Sequence, residues 1–259
     1  MAYAPFDLSG KVALVTGGNR GIGFGMAEAL AQAGADIAIW GRDAKRNDEA
    51  VATLSRYGKA RSYTVDVASE ASVDDAFAAT LADFGRVDTV IANAGIGAAA
   101  PSFAEMPTET YRKVLSVNLD GVFFTLRAAC RHIVERAKNG DPGGSLVGIA
   151  SLAAIEGQAR GQHYAATKGA VVSMMKAIAV EHARYGVRAN AVLPGWIATD
   201  MTEFAQQSPV FAEKVIARVP SRRWGKPEDF GGVAVYLASD ASSYHSGDLF
   251  VIDGGYAIF

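Results

Sequence analysis

Tyr164 and Lys168 stand four positions apart in the stretch "HYAATKG", residues 163–169. Four positions are about one helical turn, so on a helix both side chains emerge on one face. A free phenol has a pKa of about 10 and is a poor base near neutrality. An ammonium beside it stabilises the phenolate, lowers that pKa and makes the pair a proton-transfer device. Taken singly, the pair also fits a solvated helix face. Ser151 in "GIASLAA" adds a hydroxyl that could hold an oxygen, although alone it reads as an ordinary strand-end serine. Asn118 in "SVNLDGVF" reads alone as a helix residue bonded to backbone.

A second group of residues addresses an anion. "VALVTGGNRGIG" sets Gly17, Gly18, Gly21 and Gly23 directly after an apolar strand and at the start of a helix. Such a turn lets a ligand approach the backbone, and the helix N-terminus offers free N–H groups to a phosphate. The spacing G-x-x-x-G-x-G differs from the G-x-G-x-x-G dinucleotide fingerprint, and glycine clusters also serve simply as turns. The end of the next strand, "IWGRD", adds information. An acid there would bond the ribose 2′-hydroxyl of NAD, whereas an arginine suits a 2′-phosphate. Gly41 occupies that position and Arg42 follows it, with Arg20 in the glycine turn able to reach the same phosphate. Two guanidiniums around a phosphate favour NADP. The opposing reading makes Asp43 the acid and Arg42 a solvated loop residue.

The elements that must position these groups are short apolar runs alternating with amphipathic stretches. Strands are expected at 11–16, 36–40, 61–66, 87–93, 145–150, 187–194 and 249–253, several of them apolar throughout as strands buried on both faces are. Helices are expected near 21–33, 44–57, 71–84, 108–138, 162–185 and 227–238. The alternation implies right-handed crossovers: an α/β fold, one doubly wound domain over 1–259 with about seven parallel strands. Residues 196–222 break the rhythm after "PG" and read as a lid or binding loop.

Bulk properties bound the partners. Of 259 residues, 50% are hydrophobic and 20% charged, which is enough apolar material for a large core. A formal net charge of -2 gives no general attraction to nucleic acid or anionic membrane. The only cysteine is Cys130, which excludes an intrachain disulfide and fits a reducing, cytoplasmic setting. The start "MAYAPFDLSGK" does not read as a secretory signal, and no apolar run is long enough to span a membrane. His132, His163, His182 and His245 pair with no Cys or His at a ligand spacing, so no metal site is expected. Arg222 and Arg223 read as a solvated face.

The ordered motifs resemble the short-chain dehydrogenase/reductase family over nearly the whole length. They are "TGGNRGIG", "DV" at 66–67, "NAG" at 93–95, Asn118, Ser151, "YAATK" at 164–168 and "LPGWIATDM" at 193–201. Each is modest alone; the ordered set is specific. The resemblance implies a Rossmann-type fold and a tetrad. In it Tyr164 is the general acid/base, Ser151 holds the substrate oxygen, Lys168 tunes Tyr164 and bonds the nicotinamide ribose, and Asn118 relays protons through water to Lys168. It implies a cofactor groove of Gly17, Asn19, Arg20, Gly21, Ile22, Gly23, Arg42, Asp66, Val67, Asn93, Ala94 and Gly95, together with Tyr164 and Lys168. Asp66 would bond the adenine amine. Pro194, Gly195, Ile197 and Thr199 would flank the nicotinamide, with Ile197 and Thr199 at its carboxamide. Ala92 replaces the more frequent first Asn of "NNAG", with a small structural effect expected.

The resemblance also implies a substrate pocket that draws on Ser151, Ala153, Ile155, Gln158, His163, Tyr164 and the lid residues Trp196, Met201 and Phe204. It is mostly apolar and has no evident charge cluster for an anionic substrate. His163 reads as a helix-surface or rim residue rather than a second acid–base. The expected activity is NADP-dependent interconversion of a ketone or aldehyde and an alcohol, NAD being the less favoured cofactor. Within the family the chain looks most like 3-oxoacyl or carbonyl reductases. Sugar and polyol dehydrogenases are the enzymatic alternative, and an NADP-binding redox-sensing protein the non-enzymatic one. The family also implies a homotetramer.

Overall fold

The computed structural model describes residues 3–259. Seven parallel strands form one sheet: β1 (Val12–Thr16), β2 (Asp36–Gly41), β3 (Ala60–Thr64), β4 (Thr89–Ala92), β5 (Gly144–Ile149), β6 (Val187–Pro194) and β7 (Leu249–Ile252). Their order is β3-β2-β1-β4-β5-β6-β7. The order reverses between β1 and β4, and α/β sheets open a ligand crevice at the carboxyl ends of such strands.

The helices are α1 (Gly21–Gln32), α2 (Ala44–Leu54), α3 (Glu70–Phe84), α4 (Thr108–Leu115), α5 (Gly121–Lys138), α6 (Gln162–His182), α7 (Glu203–Gln206), α8 (Pro209–Arg218) and α9 (Gly231–Ala238). Alternate residues of one strand enter different cores because side chains alternate across the sheet. Val12 and Leu14 join Val73, Leu126, Ile133 and Val171 on one face. Ala13 and Val15 join Met26, Leu30, Leu54 and Leu237 on the other. All five residues of β1 are buried, which is why its sequence shows no alternation.

Local signals set several boundaries. Asp43 accepts a bond from the Arg46 N–H at the start of α2, and Ser69 accepts one from Ser72 at the start of α3. Two differences from the sequence reading bear on the site. The expected single helix over 108–138 is interrupted at Ser116–Asp120 by a π-type turn that contains Asn118. One extra residue in a single turn only shifts the phase of the hydrophobic pattern, which remains helical on both sides, and such turns are frequent at functional sites. Residues 196–222 are not an irregular loop: they carry α7 and α8, the latter started by Pro209 at its first turn.

Candidate active site

The glycine turn is closed from the β4 side. The Thr16 hydroxyl accepts from the N–H groups of both Asn93 (3.0 Å) and Ala94 (2.9 Å). The Asn93 amide donates to the carbonyls of Thr16 (2.9 Å) and Gly17 (3.3 Å). Asn93 thus clamps the turn and does so through backbone, a role that "NAG" alone did not disclose. Gly17 has φ 63°, a conformation L side chains rarely adopt. A Cβ at Gly23 would lie 2.4 Å from both the Asn93 amide nitrogen and the Gly17 carbonyl oxygen. The space that side chains would occupy is therefore reserved. This cradle fits a pyrophosphate at the head of α1, beside Ile22.

Gly41 explains the missing acid. A Cβ there would meet Asn47 Oδ1 at 2.3 Å and Asn19 Nδ2 at 2.4 Å. Asn19 donates to Asn47 (2.7 Å), and Asn47 donates on to the Gly41 carbonyl (3.0 Å). No carboxylate side chain fits at this position without breaking that bridge. Asp43, the competing acid, is committed to capping α2. Arg42 is exposed and makes no ion pair among the described residues. Arg20 is not free as expected: it donates to Asp200 at 2.5 Å, and Arg46 donates to the same oxygen at 2.9 Å. Asp66 is exposed, its Oδ1 accepting from Ala68 N–H (3.1 Å) in a local turn. Val67 is buried beneath it against Gly121.

The four catalytic candidates converge near the ends of β4 and β5. Asn118 is fully buried and bonds Ile96 twice, accepting from its N–H (2.8 Å) and donating to its carbonyl (2.9 Å). It fixes the strand of chain after Gly95. A Cβ on Gly95 would stand 3.4 Å from Asn118 Oδ1 and 3.6 Å from Lys168 Nζ, so that glycine keeps the space between them open. Lys168 Nζ donates to the Ile149 carbonyl at 2.8 Å and lies 5.5 Å from the centre of the Tyr164 ring. Ser151 Oγ accepts from Ala153 N–H (3.2 Å), and its hydroxyl faces the Tyr164 phenol.

The electrostatics differ from the sequence expectation. Burial pushes the Tyr164 phenol up, opposed by the nearby Ser151 hydroxyl; Lys168 does not depress it in this state. The reason is that the ammonium is itself desolvated, its own pKa pushed down to about 8. A charged lysine held where it is poorly hydrated costs stability at neutral pH. The unfolded lysine titrates near 10.4. Below pH 8 both states are charged and the full penalty stands; between about 8 and 10.4 the folded state loses its proton first and the penalty fades. Lys168→Met should therefore stabilise the protein more at pH 7 than at pH 9.5, measured by urea unfolding. An advantage that grows with pH would refute this account of Lys168.

On the substrate side, His163 is corrected from a surface position: it is 1% exposed, and neither ring nitrogen makes a hydrogen bond of ordinary geometry among the described residues. Burial lowers its pKa, so the imidazole is neutral. The chain before it is tied down where the Arg160 carbonyl, on a residue with φ 62°, accepts from Ala100 N–H at 3.2 Å. Ala153 is part-buried, and Gln158 is exposed and folded back against Gly161. Trp196 packs edge-on to Phe211 (5.4 Å) and Trp224 (5.9 Å). Ile155, Met201 and Phe204 are exposed. Pro194 and Ile197 are buried, and Gly195 is pressed against Asp253. The Thr199 methyl lies 3.3 Å from a Cβ placed on Gly21, so the segment after β6 reaches back to the glycine turn. Among the described residues no three His, Cys, Asp or Glu side chains gather as a metal site would need.

This arrangement can hold a dinucleotide along β1 and β4 and present a hydroxyl pair to a reacting oxygen. Comparisons agree with that geometry. A family model described as enoyl-(acyl carrier protein) reductase matches residues 17–257. A gluconate 5-dehydrogenase of Gluconobacter oxydans is 37% identical over 254 residues, 98% of this chain and 97% of the relative. An NADP-dependent (R)-specific alcohol dehydrogenase of Lentilactobacillus kefiri is 39% identical, covering 96% and 97%. The crystal structure of a gluconate 5-dehydrogenase from Burkholderia cenocepacia, in complex with NADP and tartrate, superposes with a TM-score of 0.90 at 33% identity over 98% of both chains.

Proposed function

The chain belongs to the short-chain dehydrogenase/reductase family, and from that premise we propose that it is an NADP-dependent oxidoreductase interconverting a secondary alcohol and a ketone on a sugar acid or polyol. The observation that carries the reading is the Ser151–Tyr164 hydroxyl pair beside buried Lys168, opening beside a cradle that only glycine can line. NADP, when bound, supplies or accepts the hydride. Ser151 positions the substrate oxygen. Tyr164 gives that oxygen its proton in reduction and takes it back in oxidation. Lys168 holds positive charge near the phenol, and Asn118 keeps the chain at Ile96 in place while serving a water relay.

Within the family, the first choice from sequence, a 3-oxoacyl or carbonyl reductase, yields to the sugar dehydrogenase alternative. Relatives named for gluconate, 5-ketogluconate and rhamnose chemistry support this. A panel of gluconate, 5-ketogluconate, polyols and a 3-oxoacyl thioester, read by NADPH absorbance, tests it. The fastest turnover is expected on a sugar acid or polyol. A thioester reduced faster than all of these would overturn the substrate assignment. Cofactor binding with no turnover on any compound would favour the redox-sensing alternative.

Cofactor choice has its own test. Arg42→Ala should weaken NADP binding about tenfold or more and NAD binding little, since charge-assisted phosphate bonds are among the stronger ones. Equal losses would sink the assignment. The reading also includes a homotetramer, supported by apolar side chains left exposed on α4, α5 and α6 at Tyr111, Phe123 and Val180. Sedimentation velocity would show a monomer if that part is wrong. No helix among the described residues is long and apolar enough to cross a membrane.

A further inference from the structure

Three guanidiniums lie around the carboxyl end of β2: Arg20 from the glycine turn, Arg42 beyond the strand and Arg46 from the first turn of α2. Two of them are already engaged by an acid of this chain. Asp200 Oδ2 accepts from Arg20 at 2.5 Å and from Arg46 at 2.9 Å. Arg46 has a second acid, Asp43, at 3.5 Å. These arginines hold the Asp200 carboxyl below its ordinary range. Asp200 lies in the first few residues of the 196–222 segment read as the lid, directly after Thr199, which touches the glycine turn, and before Met201, which touches Gly97. The same carboxylate therefore joins the anion-binding arginines to the substrate side of the cleft.

We propose that Asp200 is a cofactor-selectivity residue: an internal anion that occupies Arg20 and Arg46 until the 2′-phosphate of NADP replaces it, releasing the front of the lid. This rests on the NADP reading above. The exchange follows from charge and geometry. Asp200 brings one negative charge and uses one oxygen on both arginines. A phosphate monoester brings about 1.5 to 2 charges and three acceptor oxygens. The pairs are more than half exposed on the Arg20 and Asp200 side, so the exchange has a modest barrier in free energy and is screened by salt. NAD has no 2′-phosphate and leaves the Asp200 latch closed.

The test uses the whole chain with two fragments lacking the nicotinamide, adenosine 2′,5′-bisphosphate and 5′-AMP, and reads binding by calorimetry. Asp200→Asn should tighten bisphosphate binding about two- to fivefold, the range an exposed ion pair spans, and leave AMP binding unchanged. Asp200→Ser repeats the measurement with a smaller side chain, and melting curves report folding of both. In the unmodified protein, hydrogen exchange at 200–206 should speed up with the bisphosphate and not with AMP. Bisphosphate affinity unchanged or weakened in both variants overturns the role of Asp200, as does equal exchange with the two ligands. An unmodified protein that binds neither fragment overturns the dinucleotide reading itself, and that result is distinct from the first two.

Discussion

Tyr164→Phe should lower turnover by about 10²–10⁴, the usual contribution of a positioned acid–base group. Cofactor affinity should change by only a few fold, and the melting temperature should not fall, since the substitution removes one hydroxyl from a desolvated position and keeps the ring. Stopped-flow binding of NADPH and steady-state assays of the same preparation separate the two effects. The pH dependence follows from the raised phenol pKa. At pH 7 Tyr164 carries its proton, which is the form that reduction consumes. Oxidation needs the phenolate, so the oxidation rate should climb as pH rises above 7 while reduction does not. A Phe variant with full activity, or an oxidation rate that falls from pH 7 to 9, would remove Tyr164 from its role.

Gly23→Ala should abolish dinucleotide binding and cost about 1–3 kcal/mol of stability, the range for overpacking a filled site. The added methyl would sit 2.4 Å from Asn93 Nδ2 and 2.4 Å from the Gly17 carbonyl oxygen. Neither neighbour can yield cheaply: Gly17 is backbone, and Asn93 is the clamp that holds β1 to β4. The turn must open, and the pyrophosphate cradle opens with it. Gly232, in α9, provides the contrast, because a methyl there would meet nothing within 4 Å. Gly232→Ala should stabilise by about 0.5–1 kcal/mol, because alanine loses less backbone entropy in a helix. Urea unfolding and calorimetric titration of NADP on both variants check the pair. Intact NADP binding by Gly23→Ala would mean that the cradle lies elsewhere.

Much of the site was legible in the sequence alone, for local reasons. A four-residue spacing puts Tyr164 and Lys168 on one helix face whatever surrounds them. The apolar strands and the glycine turn are equally local, and they sufficed for the α/β architecture. The ends of β3 and β4 shifted by a residue or two because pairing with neighbours, not composition, terminates a strand.

What tertiary structure decided concerns groups far apart in the chain. Thr16 and Asn93 meet because β1 and β4 are neighbours in the sheet, so the clamp on the glycine turn joins residues 77 positions apart. Gly41 looked like a missing acid; it is the floor of an Asn19–Asn47 bridge, which no reading of "IWGRD" contains. Arg20 looked free for phosphate, yet it pairs with Asp200, 180 positions on. His163 reads from the sequence as a helix-surface or rim residue because the tetrad already completes the chemistry, yet packing leaves it 1% exposed. Spacing along a helix or strand fixes which residues share a face. Burial, charge state and free valence depend on which faces the sheet order brings together, and a phenol's or an ammonium's pKa answers to that desolvation rather than to its neighbours in the chain.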